Sequence, residues 1–184
     1  MNDEQKNGVL QAIADRRSIR RFKKDLPTNA QLSELMNAAL EAPTGRNAQS
    51  NEVYFIRNEE TAAKLQKEAD DYLKMSRPDL AEDFHCFYDA PMIAVFAADP
   101  ENKWKAVDAG IIAENICLAA FAVGLGTCII GMVQDFMRSA ASGTIRSELG
   151  IAEGLEFQIA IAIGIPDQEP DAKPRDAEKI KIIY

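Results

Sequence analysis

Six of the nine residues from Arg16 to Lys24 are basic, in a chain whose formal net charge is -8. Ser18 sits inside this run, and Pro27 ends it. Arg16, Arg17 and Arg20 offer forked N–H donors and Ser18 a hydroxyl, which together suit an oxyanion such as a phosphate. A helix C-terminus or a solvated face would carry the same cations, and charge alone does not choose between these readings. A second polar cluster lies at residues 42–51, APTGRNAQSN. With Thr44, Asn47 and Gln49 it reads either as an ordinary turn or as a ledge whose amides meet a polar heterocycle. A third feature is the apolar segment Cys128, Ile129, Ile130, Gly131. It reads as extended chain whose backbone something flat can approach closely. Lys173 and Arg175 add a late basic pair.

Other reactive side chains are sparse. Three cysteines, Cys86, Cys117 and Cys128, show no paired spacing and read as reduced thiols. Cys128 is flanked by apolar residues, the usual setting of an inert thiol. His85 is the single histidine. That removes most metal sites, and no G-x-S-x-G elbow accompanies it. Among Phe84, Phe87 and Tyr88 it reads as structural or solvent-facing, and these aromatics read as packing. The acidic balance, with a pI of about 4.8, argues against a nucleic-acid partner. The longest apolar runs are broken by Asp, Glu or Asn, so no membrane-spanning helix is expected. The N-terminal MNDEQKNGVL lacks the pattern of a secretory leader, and a cytoplasmic location is expected.

The elements that must position these residues centre on 106–123. Ile111, Ile112, Ile116, Leu118 and Phe121 go nearly all the way round this helix, so it is expected in the core or in a subunit interface. Gly124 and Gly126 stop it, and a strand from Thr127 follows. Residues 4–15 read as a short helix capped by Asp3, with Val9, Leu10 and Ile13 as its stripe. Thr28 and Gln31 form a capping box for a helix to residue 41, with Leu32, Leu35, Met36, Ala39 and Leu40 as its buried stripe. Strands are expected at 53–57, 92–98 and 155–165, the second covered on both faces and therefore central. A helix is expected at 60–75. A further short helix or lid is expected at 76–88, and an interrupted helix at 135–149. The Pro-rich tail is expected to end in a strand at 180–184. With no internal linker, residues 1–184 read as one α+β or α/β domain.

Five stretches in this order resemble the nitroreductase family of flavin mononucleotide (FMN) oxidoreductases: RRSIRRF at 16–22, APTGRNAQ at 42–49, YDAPMIAVFAAD at 88–99, DAGIIAENICLAAFAVGLGTCIIG at 108–131 and AIAIGIPDQEPDAKPR at 160–175. The resemblance implies an α+β sandwich with a central, mostly antiparallel sheet flanked by helices. It also implies a homodimer with FMN at the subunit interface, and a tail from about 166 that extends onto the partner. Arg16, Arg17, Ser18 and Arg20 match the family's first flavin motif, which grips the phosphate and reaches toward the pyrimidine side of the ring. Lys173 and Arg175 match the late pair at the phosphate. Thr44 and Asn47, with Gln49 beside them, match the loop lent by the neighbouring subunit. Cys128, Ile129, Ile130 and Gly131 match the segment along the flavin, with the N–H of Ile130 or Gly131 directed at N5. The implied activity is NAD(P)H-driven reduction of nitroaromatics, quinones or related electrophiles through FMN, by a ping-pong course. The alternatives are an FMN carrier or sensor without turnover, and a reductive dehalogenase or dehydrogenase on the same scaffold. One departure is Ala48-Gln49-Ser50-Asn51, where the family often continues Gln-Pro-aromatic.

Overall fold

The computed structural model describes residues 3–184, with side chains from residue 8 onward. The cap assigned to Asp3 therefore lies outside the described side chains. The helices are α1 (Asp3–Asp15), α2 (Asn29–Leu40), α3 (Glu59–Ser76), α4 (Lys105–Ala122), α5 (Gln134–Arg138) and α6 (Gly143–Glu148). The strands are β1 (Asn51–Ile56), β2 (Met92–Ala98), β3 (Gly126–Ile130) and β4 (Glu156–Gly164). They form an antiparallel sheet in the order β1-β2-β4-β3.

The architecture follows from alternation along β2. Every residue of this strand is buried, and successive side chains leave on opposite faces. Met92, Ala94 and Phe96 join Leu35 of α2 and Ile112, Ile116 and Ala120 of α4 in one core layer. Ile93, Val95 and Ala97 join Leu65 and Ala69 of α3, Phe136 of α5 and Ile145 of α6 in the other. The result is a helix–sheet–helix sandwich of α+β type, as the sequence leads one to expect. The β2–β4 register shifts between Phe96 and Ala97, where Gln158 is the extra residue.

Local signals predicted several elements well. Thr28 and Gln31 form both bonds of the capping box. The helix expected at 60–75 is α3, and its cap, not singled out from the sequence, is Asn58, which accepts from Thr61 N–H. The expected break in the helix at 135–149 is present, as a 3₁₀ turn at Ala140–Ser142 between α5 and α6.

Other expectations are corrected. Residues 76–88 form a string of i→i+3 turns closed by Leu80, Phe84 and Tyr88 N–H groups, with no second helix. Asp70 on α3 diverts the Cys86 N–H at 2.8 Å, and Tyr88 and Asp89 adopt left-handed backbone with φ of 57° and 52°; neither is compatible with a continuing helix. Residues 180–184 are exposed coil after a 3₁₀ turn at Ala177–Lys179. An alternating segment needs a neighbouring strand, and this chain supplies none there. The stripe of α2 is buried only at Leu35, because Met36 and Leu40 face outward. Val9, Leu10 and Ile13 of α1 are likewise exposed. Helix α4 buries Ala109, Ile112, Ala113, Ile116 and Ala120, while Val107 (55% exposed), Ile111 (37%) and Phe121 (36%) stay open.

Candidate functional site

The basic run is fastened to the edge of the sheet. Leaving α1, the chain runs extended beside β3: Ser18 bridges Thr127 in parallel, and Ile19 N–H donates to the Thr127 carbonyl at 2.9 Å. It then crosses the exit of β4. Lys23 N–H donates to Ile165 O and Asp167 N–H to Arg21 O, each at 2.9 Å, and Phe22 bridges Pro166. Two glycines permit the close approach. A Cβ on Gly126 would lie 2.7 Å from Ile19 Cγ1, and one on Gly164 would lie 2.7 Å from Pro91 Cδ and 3.0 Å from Phe22 Cδ1. Ile19 is the buried peg, so its neighbours Ser18 and Arg20 are held at the strand edge.

The arginines of the run do different things. Arg17 folds back on the end of α1, donating to Ala14 O at 2.6 Å and Arg16 O at 2.9 Å. This fulfils the helix C-terminus reading for Arg17 alone. Arg21 Nε donates to Asp167 O at 2.7 Å, and the Asp167 carboxylate lies 3.5 Å away. Arg16 Nε pairs with Glu114 Oε1 of α4 at 3.1 Å. Arg20 has no carboxylate partner among the described residues; its guanidinium carbon lies 5.9 Å from the centre of the Tyr88 ring. The nearby Tyr88 phenol is the main reason its pKa stands above the ordinary arginine value. Tyr88, assigned to packing from the sequence, thus belongs to this neighbourhood. Its only sequence signal was its place at the head of YDAP.

The segment 128–131 lies along the same edge. Because the Thr127 carbonyl points away from β4, strand alternation directs the Cys128 and Ile130 amides into β4, where they oppose Ala162 and Ala160. The backbone of Ile129 faces the open side. Gly131 N–H has no acceptor among the described residues, and nothing lies within 4 Å of where its Cβ would stand. Cys128 is buried, and burial raises its thiol pKa while the nearby Arg20 guanidinium opposes the shift. Burial likewise pushes Cys117 up to about 11. These thiols are protonated at neutral pH and poor nucleophiles. Beside the run, a pocket of about 230 Å³ is walled by Arg16, Arg17, Phe121, Thr127, Gln168 and Glu169, among others.

The loop at 44–49 is rigid and strained. Arg46, Asn47 and Gln49 all have φ near +50°, each costly for a residue with a Cβ. The loop is over-determined: Gln49 N–H donates to Thr44 Oγ1 at 3.1 Å, and Gly45 N–H donates to Asp108 Oδ1 at 2.9 Å. Gly45 sits against Trp104, where a Cβ would lie 2.9 Å from the indole. Asp108, in the first turn of α4, is therefore the foot of this loop. In the departure segment, Ser50 accepts from Asn102 Nδ2, and Asn51 Nδ2 donates to Lys105 O at 3.1 Å. Both residues tie the loop to the start of α4.

Residues 13–165 match the model of the nitroreductase family. The chain belongs to this family. An FMN-bound nitroreductase from Bacteroides fragilis has the same fold, with a TM-score of 0.89 at 21% identity over the whole of both chains. A nitroreductase with bound FMN from Desulfitobacterium hafniense superposes with a TM-score of 0.86 at 27% identity, again over both whole chains. An NADPH-flavin oxidoreductase from Vibrio harveyi is 29% identical over 176 residues, spanning 92% of this chain and 70% of that protein.

Within this nitroreductase chain the expected site residues are only partly assembled. Ser18 and Arg20 lie beside Cys128 at the edge of β3, whereas Arg17 turns back onto the end of α1. The pocket beside the run is lined by Arg16 and Arg17 together with Gln168 and Glu169 from the start of the tail, and not by Ser18, Arg20 or residues 128–131. Lys173 and Arg175 lie farther along, exposed and without a hydrogen bond or ion pair among the described residues. Thr44, Asn47 and Gln49 sit at the first turn of α4 and make no hydrogen bond to the basic run. Among the described residues no helix is long and apolar enough to cross a membrane.

Proposed function

We propose that this chain is an FMN-dependent oxidoreductase that takes electrons from NAD(P)H and passes them to a nitroaromatic, quinone or similar conjugated acceptor. The observation that carries this reading is the seating of the basic run on the open edge of β3, through the Ile19–Thr127 bond and the Gly126 contact. The donor set fits the cofactor. Arg16 and Ser18 suit its phosphate and polyol oxygens, Arg20 a developing negative charge, and the free Gly131 amide a ring nitrogen. Of the two amides that the family resemblance left open, Gly131 is preferred, because the Ile130 N–H is directed into β4. When bound, FMN supplies the two-electron chemistry. The chain binds and orients it, and the acceptor follows the nicotinamide into one pocket, a ping-pong course.

A second copy of the chain completes the site in this reading. The strained loop at 44–49 is preformed but makes no hydrogen bond to the basic run among the described residues, and apolar residues of α1, α2 and α4 stand open. A twofold pairing through these helices would cover them and bring the partner's loop to the flavin. Lys173 and Arg175 would close on the phosphate as the tail settles.

The test is the visible spectrum of the purified protein with FMN, followed on adding NADH or NADPH. Bound yellow cofactor that bleaches with either donor and recovers with a quinone is the expected result. Protein that stays colourless in excess FMN would remove the reading. Bound FMN that neither donor reduces would leave a carrier or sensor. Replacing Arg175 by alanine is expected to weaken FMN binding by about 1.5–3 kcal/mol, the loss of one charge-assisted contact; fluorescence titration measures it, and unchanged affinity would place the phosphate elsewhere.

A further inference from the structure

We propose that Tyr88 is a positioning residue for Arg20, holding that cation against the electron-rich edge of the reduced flavin and so setting how much more tightly the reduced cofactor is bound than the oxidised one. This rests on the FMN reading above. Arg20 differs from the other arginines of the run. Arg16 faces Glu114, Arg21 faces Asp167, and Arg17 is spent on backbone carbonyls. A carboxylate partner would fix Arg20 equally well, but it would cancel the charge that a flavin needs. An aromatic face orients a guanidinium and leaves its net charge intact, with N–H donors still free for a ligand. The Tyr88 ring does this from 5.9 Å.

The backbone is committed to placing that ring. Tyr88 and Asp89 are consecutive non-glycine residues in the left-handed region, at φ 57° and 52°. Such strain persists only where the surroundings enforce it. Gln66 of α3 supplies the enforcement by clasping Asp89 twice: its Nε2 donates to Asp89 Oδ1 at 2.6 Å, and its Oε1 accepts from Asp89 N–H at 3.1 Å. On the other side Tyr88 N–H donates to His85 O at 3.1 Å, and Asp70 holds the neighbouring Cys86 N–H at 2.8 Å. Arg20 also lies close enough to Cys128 to oppose the rise of its thiol pKa, so the cation borders the strand along which the ring would lie. A fixed cation there favours the form of the cofactor that carries more negative charge.

The experiment uses the FMN-loaded protein and its Tyr88→Leu and Tyr88→Phe variants, measuring oxidised FMN affinity, midpoint potential and the flavin absorption spectrum. Tyr88→Leu is expected to reduce the preference for reduced over oxidised FMN about three- to ten-fold, read as a lower midpoint potential. Tyr88→Phe keeps the aromatic face and the turn, and is expected to lose less. In an Arg20→Ala background, Tyr88→Leu should add nothing, since the two act through one contact. Wild-type potential in both Tyr88 variants would overturn this inference and leave the FMN reading intact. A full effect surviving in the Arg20→Ala background would also overturn it. Failure of the unaltered protein to take up FMN would overturn the underlying function, and this inference with it.

Discussion

Replacing Gly126 by alanine is expected to lower stability by about 1–3 kcal/mol and to weaken FMN binding about ten-fold or more. The added Cβ would lie 2.7 Å from Ile19 Cγ1 and 2.9 Å from Ile19 Cβ. Those atoms are at the root of the side chain, so rotation about an outer bond cannot clear them. Ile19 is buried, and its N–H is bonded to Thr127. The clash must therefore lift the segment itself, and with it Ser18 and Arg20. Thermal melting and FMN titration check the two losses separately. A variant that melts and binds like the parent would show that the contact between the basic run and β3 is not what holds the cofactor site.

Replacing Asp70 by alanine is expected to cost about 1–3 kcal/mol, with a melting temperature lower by several degrees. Asp70 is nearly fully buried; one carboxylate oxygen accepts from Cys86 N–H at 2.8 Å and the other lies 3.0 Å from His85 Nδ1. Alanine leaves the Cys86 N–H without an acceptor in a dry place. Asparagine retains a carbonyl for that donor and is expected to lose less. The damage should also spread along the turns to Tyr88, so the alanine variant is expected to bind FMN more weakly than the asparagine variant. Equal stability of alanine variant and parent, measured by calorimetry, would show that the turns at 76–91 are held by other contacts.

The fold was legible where its causes are local. The capping box at Thr28 and Gln31 needs only four consecutive residues, and the centrality of β2 shows in its unbroken apolar run. Helix α4 read as apolar all round, but which half meets the sheet depends on where α2 packs, and sequence periodicity does not tell. The turns at 76–91 were not legible because Asp70 reaches 16 residues along the chain to decide them. Residues 180–184 pair with no strand of their own chain, since alternation promises a strand only where a neighbour exists, and the family resemblance expects that neighbour in a partner copy.

The candidate site was legible as an ordered set of motifs, and less so as chemistry. Charge counting treated Arg16 to Lys24 as one cluster. The structure divides it into Arg17 and Arg21, spent on nearby backbone and carboxylate acceptors, Arg16, tethered to Glu114, and Arg20, with no carboxylate partner. Apart from Arg17, whose acceptors are its neighbours Ala14 and Arg16, that division rests on contacts from α4, the tail and the turn at Tyr88, none adjacent in sequence. The same holds for Asp108, whose hydrogen bond to Gly45 spans 63 residues.

The extra residue in β4 has a wider consequence. Phe157 shares a core layer with Ala160 and Ala162, although odd and even positions of one strand normally face apart. Gln158 acts as a change of parity: it lets a single strand serve α5 at one end and keep its phase with β3 at the other. Shortening the strand by that one residue would straighten the ladder on paper, yet it would turn either Phe157 or the half that pairs with β3 inside out. Surface loops in general tolerate gain or loss of a residue, whereas at position 158 the length of the chain is itself a structural instruction.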